Sequence, residues 1–204
     1  MAPRFAEIAF TPTVRAEQLR HGSRATYARW EGDEQAENPL GDRERAFIKA
    51  RDSFYLASVS ETGWPYVQHR GGPRGFVRVL NDRTIGFADF RGNRQYVSVG
   101  NLRHDDRVAL IMVDYASRTR LKLLGHVRFI DGTDGRGLEP LTVPGYRAKV
   151  ERGLLIEIAA FDWNCPQHIT PRITLDEVEE LMVPLKARMA ELEATIELLS
   201  NRSR

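Results

Sequence analysis

Residues 66–101 constrain the fold of this chain most strongly, because they contain two short strand patterns joined by a turn. Residues 75–80 (GFVRVL) and 85–90 (IGFADF) are rich in β-branched and aromatic side chains. The four residues between them, NDRT, have side chains that favour a turn. The segment therefore predicts a β-hairpin.

The residues that follow this hairpin predict an anion-binding turn. Apolar or small side chains now recur at helical spacing, at Tyr96, Val99, Gly100 and Leu102. Asn93 is a candidate N-cap for that helix. An anion beside Gly92 and Asn93 would meet the free N–H groups of a helix start and the guanidinium of Arg94. Arg78, on the neighbouring strand, could close the site from the other side, so the segment suits a phosphate held beside a flat, apolar ring.

The rest of the chain extends the β pattern. Further strands are predicted over residues 54–60, 65–70, 107–113, 120–130 and 153–161. The strand at 107–113 is almost continuously apolar, which predicts that both of its faces are covered. Residues 1–50 favour helices, including a short one at 43–49. Six or more strands joined mainly by short turns predict an antiparallel barrel with helical additions.

Composition narrows the class of protein. The 204 residues include 30 Lys and Arg and 28 Asp and Glu, so the net charge of +2 does not point to nucleic acid or to a membrane surface. Cys165 is the only cysteine, which excludes an internal disulfide and suits a reducing compartment. The N-terminus lacks a signal-peptide pattern, and no apolar run approaches the length of a membrane span. The sequence therefore predicts a cytoplasmic protein without nucleic-acid or membrane partners.

Three stretches carry a family resemblance: residues 51–76 (RDSFYLASVSETGWPYVQHRGGPRGF), 87–96 (FADFRGNRQY) and 161–172 (FDWNCPQHITPR). They are similar to a bacterial subfamily, of mostly unassigned function, of the pyridoxamine 5′-phosphate oxidase-like flavoproteins, which bind FMN. The resemblance implies a mainly β (α+β) fold, an antiparallel split β-barrel with flanking helices and a C-terminal helix. It implies a single domain overall, made of an N-terminal helical extension (1–50), the FMN-binding split barrel (51–174) and the C-terminal helix (175–204).

The resemblance also implies residues for the flavin. The oxidase has a Gly-Ser-Arg-Lys turn that binds the flavin phosphate, and residues 92–95 (GNRQ) occupy that turn here, so amides replace the serine and the lysine. A phosphate-binding cation of the preceding strand falls on Arg78, which leaves two arginines for a dianion. The expected FMN-binding residues are His69, Arg70, Arg78, Asn93, Arg94, Gln95, Ser98, Arg120 and Lys122.

Several of these residues have a structural alternative. Arg118, Arg120 and Lys122 share one face of the predicted 120–130 strand if its pairing begins early enough, and the pattern alone favours a solvated face there. The resemblance favours flavin contacts for Arg120 and Lys122. Arg120 aligns with a glutamine through which the oxidase approaches the flavin from the partner subunit, and a cation there would favour the anionic reduced flavin. His69 and Arg70 either line the flavin cavity or have a purely structural role.

The segment 161–172 supplies candidate residues for the substrate side. Trp163 could wall the flavin or substrate pocket, and His168 with Arg172 could orient an anionic substrate. Alternatively, Trp163 is a core residue and His168 a satisfied loop residue. The oxidase uses an Arg-x-His pair for its substrate phosphate where this chain has His-x-x-x-Arg, so specificity for pyridoxamine phosphate is not implied. Cys165 and His168 have the spacing of half a metal site, but no second pair is evident and no metal is expected.

The C-terminal segment predicts a helix with a narrow apolar seam. Its apolar residues alternate steps of four and three: Val178, Met182, Leu185, Met189, Leu192, Ile196 and Leu199. Pro184 should kink or restart this helix. The seam suits helix-on-helix pairing, or it packs on the barrel of its own chain. Because the flavin sites of the family lie between two subunits, we expect a homodimer with flavin sites at the subunit interface, to which these helices add contacts.

The favoured function is an FMN-dependent oxidoreductase that acts on an unidentified small-molecule substrate. The alternative is a non-catalytic flavin-binding carrier or sensor whose C-terminal helix signals to a partner. A deazaflavin or a haem in the same pocket is a further alternative to FMN.

Overall fold

The computed structural model describes residues 3–31, 39–131, 137–164 and 166–202. The chain divides into two compact units. The first comprises Met1–Asp114 and Thr119–Gln167, and we call it the sheet unit. The second comprises Tyr115–Arg118 and His168–Arg204, and we call it the helix unit.

The helices predicted in the first fifty residues are present. The sheet unit contains α1 (Pro3–Ala9), α2 (Pro12–Arg20), α3 (Arg24–Ala28), α4 (Asp42–Lys49), α5 (Val97–His104) and a 3₁₀ turn at Glu139–Leu141. Helix α4 begins where Gly41 donates its backbone N–H to the Glu44 carboxylate at 3.1 Å. Acidic residues in its first turn and Lys49 in its last turn both complement the helix dipole.

One antiparallel sheet forms the body of the sheet unit. Its strands are β1 (Ser53–Val59), β2 (Pro65–Gly71), β3 (Arg78–Val79), β4 (Thr84–Phe90), β5 (Arg107–Asp114), β6 (Thr119–Ile130) and β7 (Val150–Asn164). Across the described residues their order is β2-β1-β5-β6-β7-β4-β3. The predicted fold class is confirmed: the protein is mainly β, an antiparallel split barrel with flanking helices.

Strand alternation places the core on one side of the sheet. Phe54 of β1 and Phe87 of β4 meet edge to face at 5.1 Å, and Phe76 stacks on Phe54 at 5.8 Å. Each fully buried side chain of this size contributes about 1.5–3 kcal/mol. Strand β6 passes close to β7 at a bulge beside Gly125, where a Cβ atom would lie 2.4 Å from the Glu157 carbonyl oxygen. Glycine is therefore required at this crossing.

The predicted hairpin is shorter than its pattern indicates. Strand β4 covers the second predicted strand, but β3 contains only two residues, which pair with Gly86 and Ile85. Gly75 has a φ of +77°, outside the strand region. Phe76 and Val77 are nevertheless buried, so the apolar pattern of 75–80 reflects burial of a loop more than strand pairing.

Helix α6 (Leu175–Arg202) makes up most of the helix unit. Its start is a reciprocal cap: Thr174 donates its backbone N–H to the Glu177 carboxylate at 2.7 Å, and the Glu177 N–H donates to the Thr174 hydroxyl at 3.2 Å. The helix runs continuously through Pro184, so it does not restart there. Within the described ranges, no helix combines the length and hydropathy that crossing a membrane requires.

A polar cavity between β2, β4 and the turn before α5

The turn between β4 and α5 does not place a helix start where the sequence predicted it. Helix α5 begins at Val97, with Tyr96 in the N-cap position, and the predicted N-cap at Asn93 is wrong. The reason is backbone conformation: Arg94 and Tyr96 have φ values of +63° and +56°, which no helix tolerates. The Asn93 side chain instead accepts the N–H of Gln95 at 3.2 Å. The turn is therefore a loop held by a side-chain cap.

This turn borders a cavity of about 200 Å³. Four of the predicted cofactor-binding residues line it: Arg70, Asn93, Arg94 and Ser98. The cavity is completed by residues that sequence reasoning did not select, namely Gln68, Asp89, Phe90, Tyr96, Val99 and Glu151, together with Gly92 of the predicted turn. The structure thus brings one part of the predicted site together at the inner face of β2 and the end of β4.

Asp89 is the buried charge of this cavity. Only 5% of its surface is exposed. One carboxylate oxygen accepts a hydrogen bond from Arg70, and the other lies 3.5 Å from Nε of Arg152. Asp89 and Arg152 are direct partners in the β4–β7 register. Each oxygen therefore faces a guanidinium, and these two cations offset the cost of burying the carboxylate.

A second carboxylate, Glu151, lies at the cavity rim. It approaches Arg152 at 3.3 Å and Arg91 at 3.6 Å. It also accepts a hydrogen bond from the Tyr96 hydroxyl at 3.1 Å, and that hydroxyl accepts one from Nε of Arg94 at 3.2 Å. The hydrogen bond with Tyr96 raises the pKa of Arg94 above its usual value, so this guanidinium stays charged. We call Arg70, Asp89, Glu151 and Arg152 the Asp89 cluster.

The charges around the cavity leave a surplus of two cations. Arg70 and Arg94 line the cavity together with the carboxylates of Asp89 and Glu151, and Arg91 and Arg152 pair with those carboxylates from outside the lining, so the whole network holds four guanidinium groups and two carboxylates. A surplus of two positive charges matches a phosphate monoester, whose charge at pH 7 is about −1.5 to −2.

The size of the cavity limits what it can hold. Sites for drug-sized ligands usually measure about 300–1,000 Å³, so this cavity is smaller than such a site. It fits a phosphate and part of the chain attached to it. A flat ring carried by the same ligand would have to lie outside it.

Two hydrogen bonds fix α5 against the sheet beside the cavity. Ser98 donates to the Gln68 side chain at 2.7 Å, and Asn101 donates to the Ser58 hydroxyl at 3.1 Å. Ser98 is itself almost completely buried. The hydroxyl predicted to bind the cofactor is therefore already engaged in holding Gln68, which lines the cavity next to Arg70.

Other predicted phosphate residues lie elsewhere in the sheet unit. Arg78 donates to the Thr142 carbonyl at 2.8 Å and does not line this cavity. The exposed Gln95 lies in the β4–α5 turn but does not line the cavity either. His69 is on the opposite face of β2 from Arg70, where its ring meets that of Tyr55 edge to face at 5.5 Å.

The cations predicted on β6 are also apart from this cavity. Arg120 and Lys122 share one face of the strand, whereas Arg118 belongs to the turn before it, with a φ of +54°. The Lys122 ammonium lies 3.3 Å from the Asp162 carboxylate and 4.6 Å from the centre of the Phe5 ring. We call Phe5, Lys122 and Asp162 the Lys122 cluster.

The substrate-side candidates divide between the two units. Trp163, in the sheet unit, donates its indole N–H to Glu44 at 2.6 Å, packs on Phe47 and lies under the Arg43 guanidinium at 4.1 Å. In the helix unit, His168 has a φ of +61°, and the Arg172 guanidinium lies 5.2 Å from the centre of the Tyr115 ring. Cys165 is outside the described residues.

A further cavity, of about 380 Å³, lies on the outer face of the sheet and is mostly apolar. Side chains that line it include Ala57, Val59, Pro65, Ala109 and Leu124. The prediction that β5 is covered on both faces is not met in the single chain, where only alternate residues are buried. Among the described residues, no three His, Cys, Asp or Glu side chains are grouped to hold a metal ion.

Sequence and structure comparisons identify the class of protein. The fold defines an antiparallel split-barrel protein, and a family model described as pyridoxamine 5′-phosphate oxidase matches residues 40–151. That match spans more than half of the chain, and the chain belongs to the pyridoxamine 5′-phosphate oxidase family. No curated protein matches the chain significantly.

Solved structures are similar at low sequence identity. HupZ of group A Streptococcus is 12% identical with a TM-score of 0.50, and the match covers 66% of this chain and 99% of HupZ. An FMN-binding protein of Syntrophomonas wolfei is 15% identical with a TM-score of 0.46, covering 75% and 95% of the two chains. A pyridoxamine 5′-phosphate oxidase-related, FMN-binding protein of Nostoc punctiforme is 14% identical with a TM-score of 0.41, covering 58% and 76%. The HupZ match supports the fold.

Proposed function

We propose that this protein binds FMN, with the phosphate in the cavity beside the Asp89 cluster. The surplus of two positive charges around that cavity is the observation that carries the proposal, because it matches a doubly charged monoester. Arg94 and Arg70, the two cations that line the cavity, are best placed for the phosphate oxygens. The Asn93 and Gly92 backbone closes the turn around them.

The ring of the flavin would lie outside this small cavity, next to a second subunit. We infer a homodimer in which the outer face of the sheet forms the contact. Large apolar side chains are exposed on and beside that face: 41% of Tyr55, 41% of Val59, 76% of Trp64 and 60% of Val67. Together with the apolar cavity nearby, they make a surface that a partner would cover. Arg120 keeps its predicted role as the residue that reaches the flavin from the partner subunit.

The bound flavin would supply the electron transfer of an oxidoreductase that acts on a small molecule. The residues of this chain would hold the phosphate, fix the position of the ring and exclude water from the charged cavity. Asp89 and Glu151 orient the guanidinium groups, so the cations are in position before the cofactor arrives. We assign Lys122 a structural role, because Asp162 and Phe5 already engage its ammonium. The predictions that Trp163, His168 and Arg172 lie on the substrate side, and that the protein is cytoplasmic, stay predictions.

Cofactor extraction followed by mass spectrometry tests the proposal. The protein is purified from cells without added flavin, and the released small molecule is identified. FMN in near-stoichiometric amount is the expected result. A deazaflavin, a haem or no cofactor even after incubation with FMN would overturn the proposal. Size-exclusion chromatography with light scattering tests the dimer on the same sample.

Reduction kinetics separate the enzyme from the carrier. The holoprotein is mixed with NADH or NADPH without oxygen, and the visible flavin absorbance is followed. An oxidoreductase should bleach and recover its colour when air is admitted. A holoprotein that keeps its colour with both donors, but still bleaches with dithionite, would favour the carrier or sensor.

A further inference from the structure

Helix α6 has an apolar seam that its own unit leaves uncovered. In heptad notation, Val178, Leu185, Leu192 and Leu199 occupy d positions, and Met182, Met189 and Ile196 occupy a positions. Apart from the half-buried Val178, these side chains are open to solvent, with 57% of Leu185, 63% of Ile196 and 57% of Leu199 exposed. A continuous stripe of this length is the kind of apolar surface that proteins cover with a partner.

The period of the seam specifies the shape of what covers it. Apolar residues that repeat every 3.5 residues stay on one line only when two helices wind around each other. A flat sheet or a small molecule does not need this period. The surface therefore fits another helix whose own seam has the same spacing.

The residues of the seam favour a parallel pair of identical helices. Leucine occupies three successive d positions, and the β-branched Ile196 occupies the a position between the last two, a combination that favours two strands in a parallel coiled coil. The flanking charges agree: Arg188 is at a g position, and Glu193 is at the e position five residues later. In a parallel, in-register pair, Arg188 of one chain meets Glu193 of the partner subunit, and symmetry provides this contact twice.

Arg188 is available for that contact. In the single chain it lies 2.8 Å from Glu191 on the same helix, with 67% of each side chain exposed. An exposed pair of this kind is worth about 0.3–0.5 kcal/mol, so it competes weakly with a contact across a helix pair. From the seam, its exposure and the flanking charges, we propose that α6 pairs with α6 of a second copy as a parallel, in-register coiled coil. This pairing does not depend on flavin.

Disulfide cross-linking of the full-length chain tests this geometry. In a Cys165→Ser background, one cysteine is placed at a d position (Leu185→Cys or Leu192→Cys) or at an outward f position as a matched control (Ala187→Cys or Ala194→Cys). Mild oxidation is followed by non-reducing electrophoresis of protein from which flavin has been removed. We expect both d-position variants to form disulfide-linked dimers at least about ten times faster than the f-position variants, because d positions face each other across the pair and f positions point away from it.

Two outcomes of that experiment would overturn the proposal. Equal rates at d and f positions would mean that the helices are merely close together. Cross-linking at only one of Leu185 and Leu192 would exclude a parallel, in-register pair. Since the protein is flavin-free, neither outcome depends on whether the FMN proposal is correct.

A charge exchange provides the second test. Arg188→Glu places two carboxylates opposite each other in the pair, so it should slow the Leu192→Cys cross-link several-fold. The double variant Arg188→Glu, Glu193→Arg restores opposite charges and should restore the rate. Circular dichroism checks that all variants keep their helix content. A rate that is unchanged by Arg188→Glu, or not restored by the double variant, would contradict the predicted register.

Discussion

The Asp89 cluster and the Lys122 cluster each hold a nearly buried carboxylate, with 5% of Asp89 and 4% of Asp162 exposed. Their surroundings differ. Asp89 lies between two guanidinium groups at the wall of a cavity, and further arginines give that cavity its surplus charge. Lys122 is held by Asp162 and by the Phe5 ring, and it lines neither of the two cavities described above. A cation at a predicted site is thus suited to binding a ligand only when its neighbours do not neutralise its charge and when a cavity lies beside it.

The largest effect should come from removing the carboxylate of the Asp89 cluster. Asp89→Asn removes the buried counter-charge of Arg70 and one of the two carboxylates beside Arg152, whose side chains are 14% and 15% exposed. Breaking a buried pair in this way costs about 3–5 kcal/mol. Asp162→Asn is the matched change in the other cluster. It removes the carboxylate beside Lys122, but 32% of the Lys122 side chain is exposed and its ammonium also lies over the Phe5 ring, so it should cost only about 1–2 kcal/mol.

Urea denaturation followed by circular dichroism measures both free energies of unfolding. An equal or larger loss in Asp162→Asn than in Asp89→Asn would show that the two clusters do not differ in the way described.

The next effect concerns flavin retention. Arg94→Gln should weaken FMN binding by about ten- to a hundred-fold, since a hydrogen bond to a charged group contributes about 1.5–3 kcal/mol. The Arg94 side chain is exposed and donates to the Tyr96 hydroxyl, so the free energy of unfolding should hardly change. Lys122→Met is the control and should leave FMN affinity within about three-fold. Fluorescence titration of the apoprotein gives the dissociation constants, and comparable losses in both variants would refute the assignment.

A smaller effect should follow from pH. The second pKa of a phosphate monoester is about 6, whereas the hydrogen bond with Tyr96 raises the pKa of Arg94 above its usual value. Lowering the pH through 6 therefore changes the charge of the ligand and not that of this cation. FMN should bind several-fold more weakly at low pH, as the dianion takes up a proton. Riboflavin, which has no phosphate, should show no such change in the same titration.

The smallest effect is expected at the rim of the cavity. Arg91 is 40% exposed and lies 3.6 Å from Glu151, a pair that contributes about 0.2–1 kcal/mol at most. Arg91→Gln should shift FMN affinity by less than about three-fold, and the shift should vanish at high salt. An effect as large as that of Arg94→Gln would indicate that the phosphate binds nearer the rim than we propose.

Local patterns predicted the strands well and the cavity only in part. A run of β-branched and aromatic residues predicted β4, and the turn at 92–95 contributed Asn93 and Arg94 to the cavity. The shape of that turn did not follow from residue type, because neither arginine nor tyrosine favours the left-handed backbone that both adopt here. Helical spacing after Phe90 was a real signal, but the helix begins four residues later than its candidate cap.

The residues that sequence reasoning missed are joined by long-range pairing. Asp89 and Arg152 face each other in the sheet, yet 62 positions separate them in the chain. A charged residue within the apolar strand IGFADF was the available signal, since a buried carboxylate requires a partner. Identifying that partner required the register of β7. For α6, the seam was visible in the sequence, but the pattern shows that a face is covered and not which element covers it.

The left-handed backbone at Arg94 and Tyr96 has a consequence for protein engineering. Each such residue costs of order 1 kcal/mol or more relative to glycine, which adopts this conformation freely. A directed-evolution experiment that rewards thermostability alone should therefore accumulate glycine or asparagine at these two positions. The resulting proteins would unfold at a higher temperature but would bind less flavin. Colourless variants from such a screen would therefore identify residues whose backbone conformation serves cofactor binding at the expense of stability.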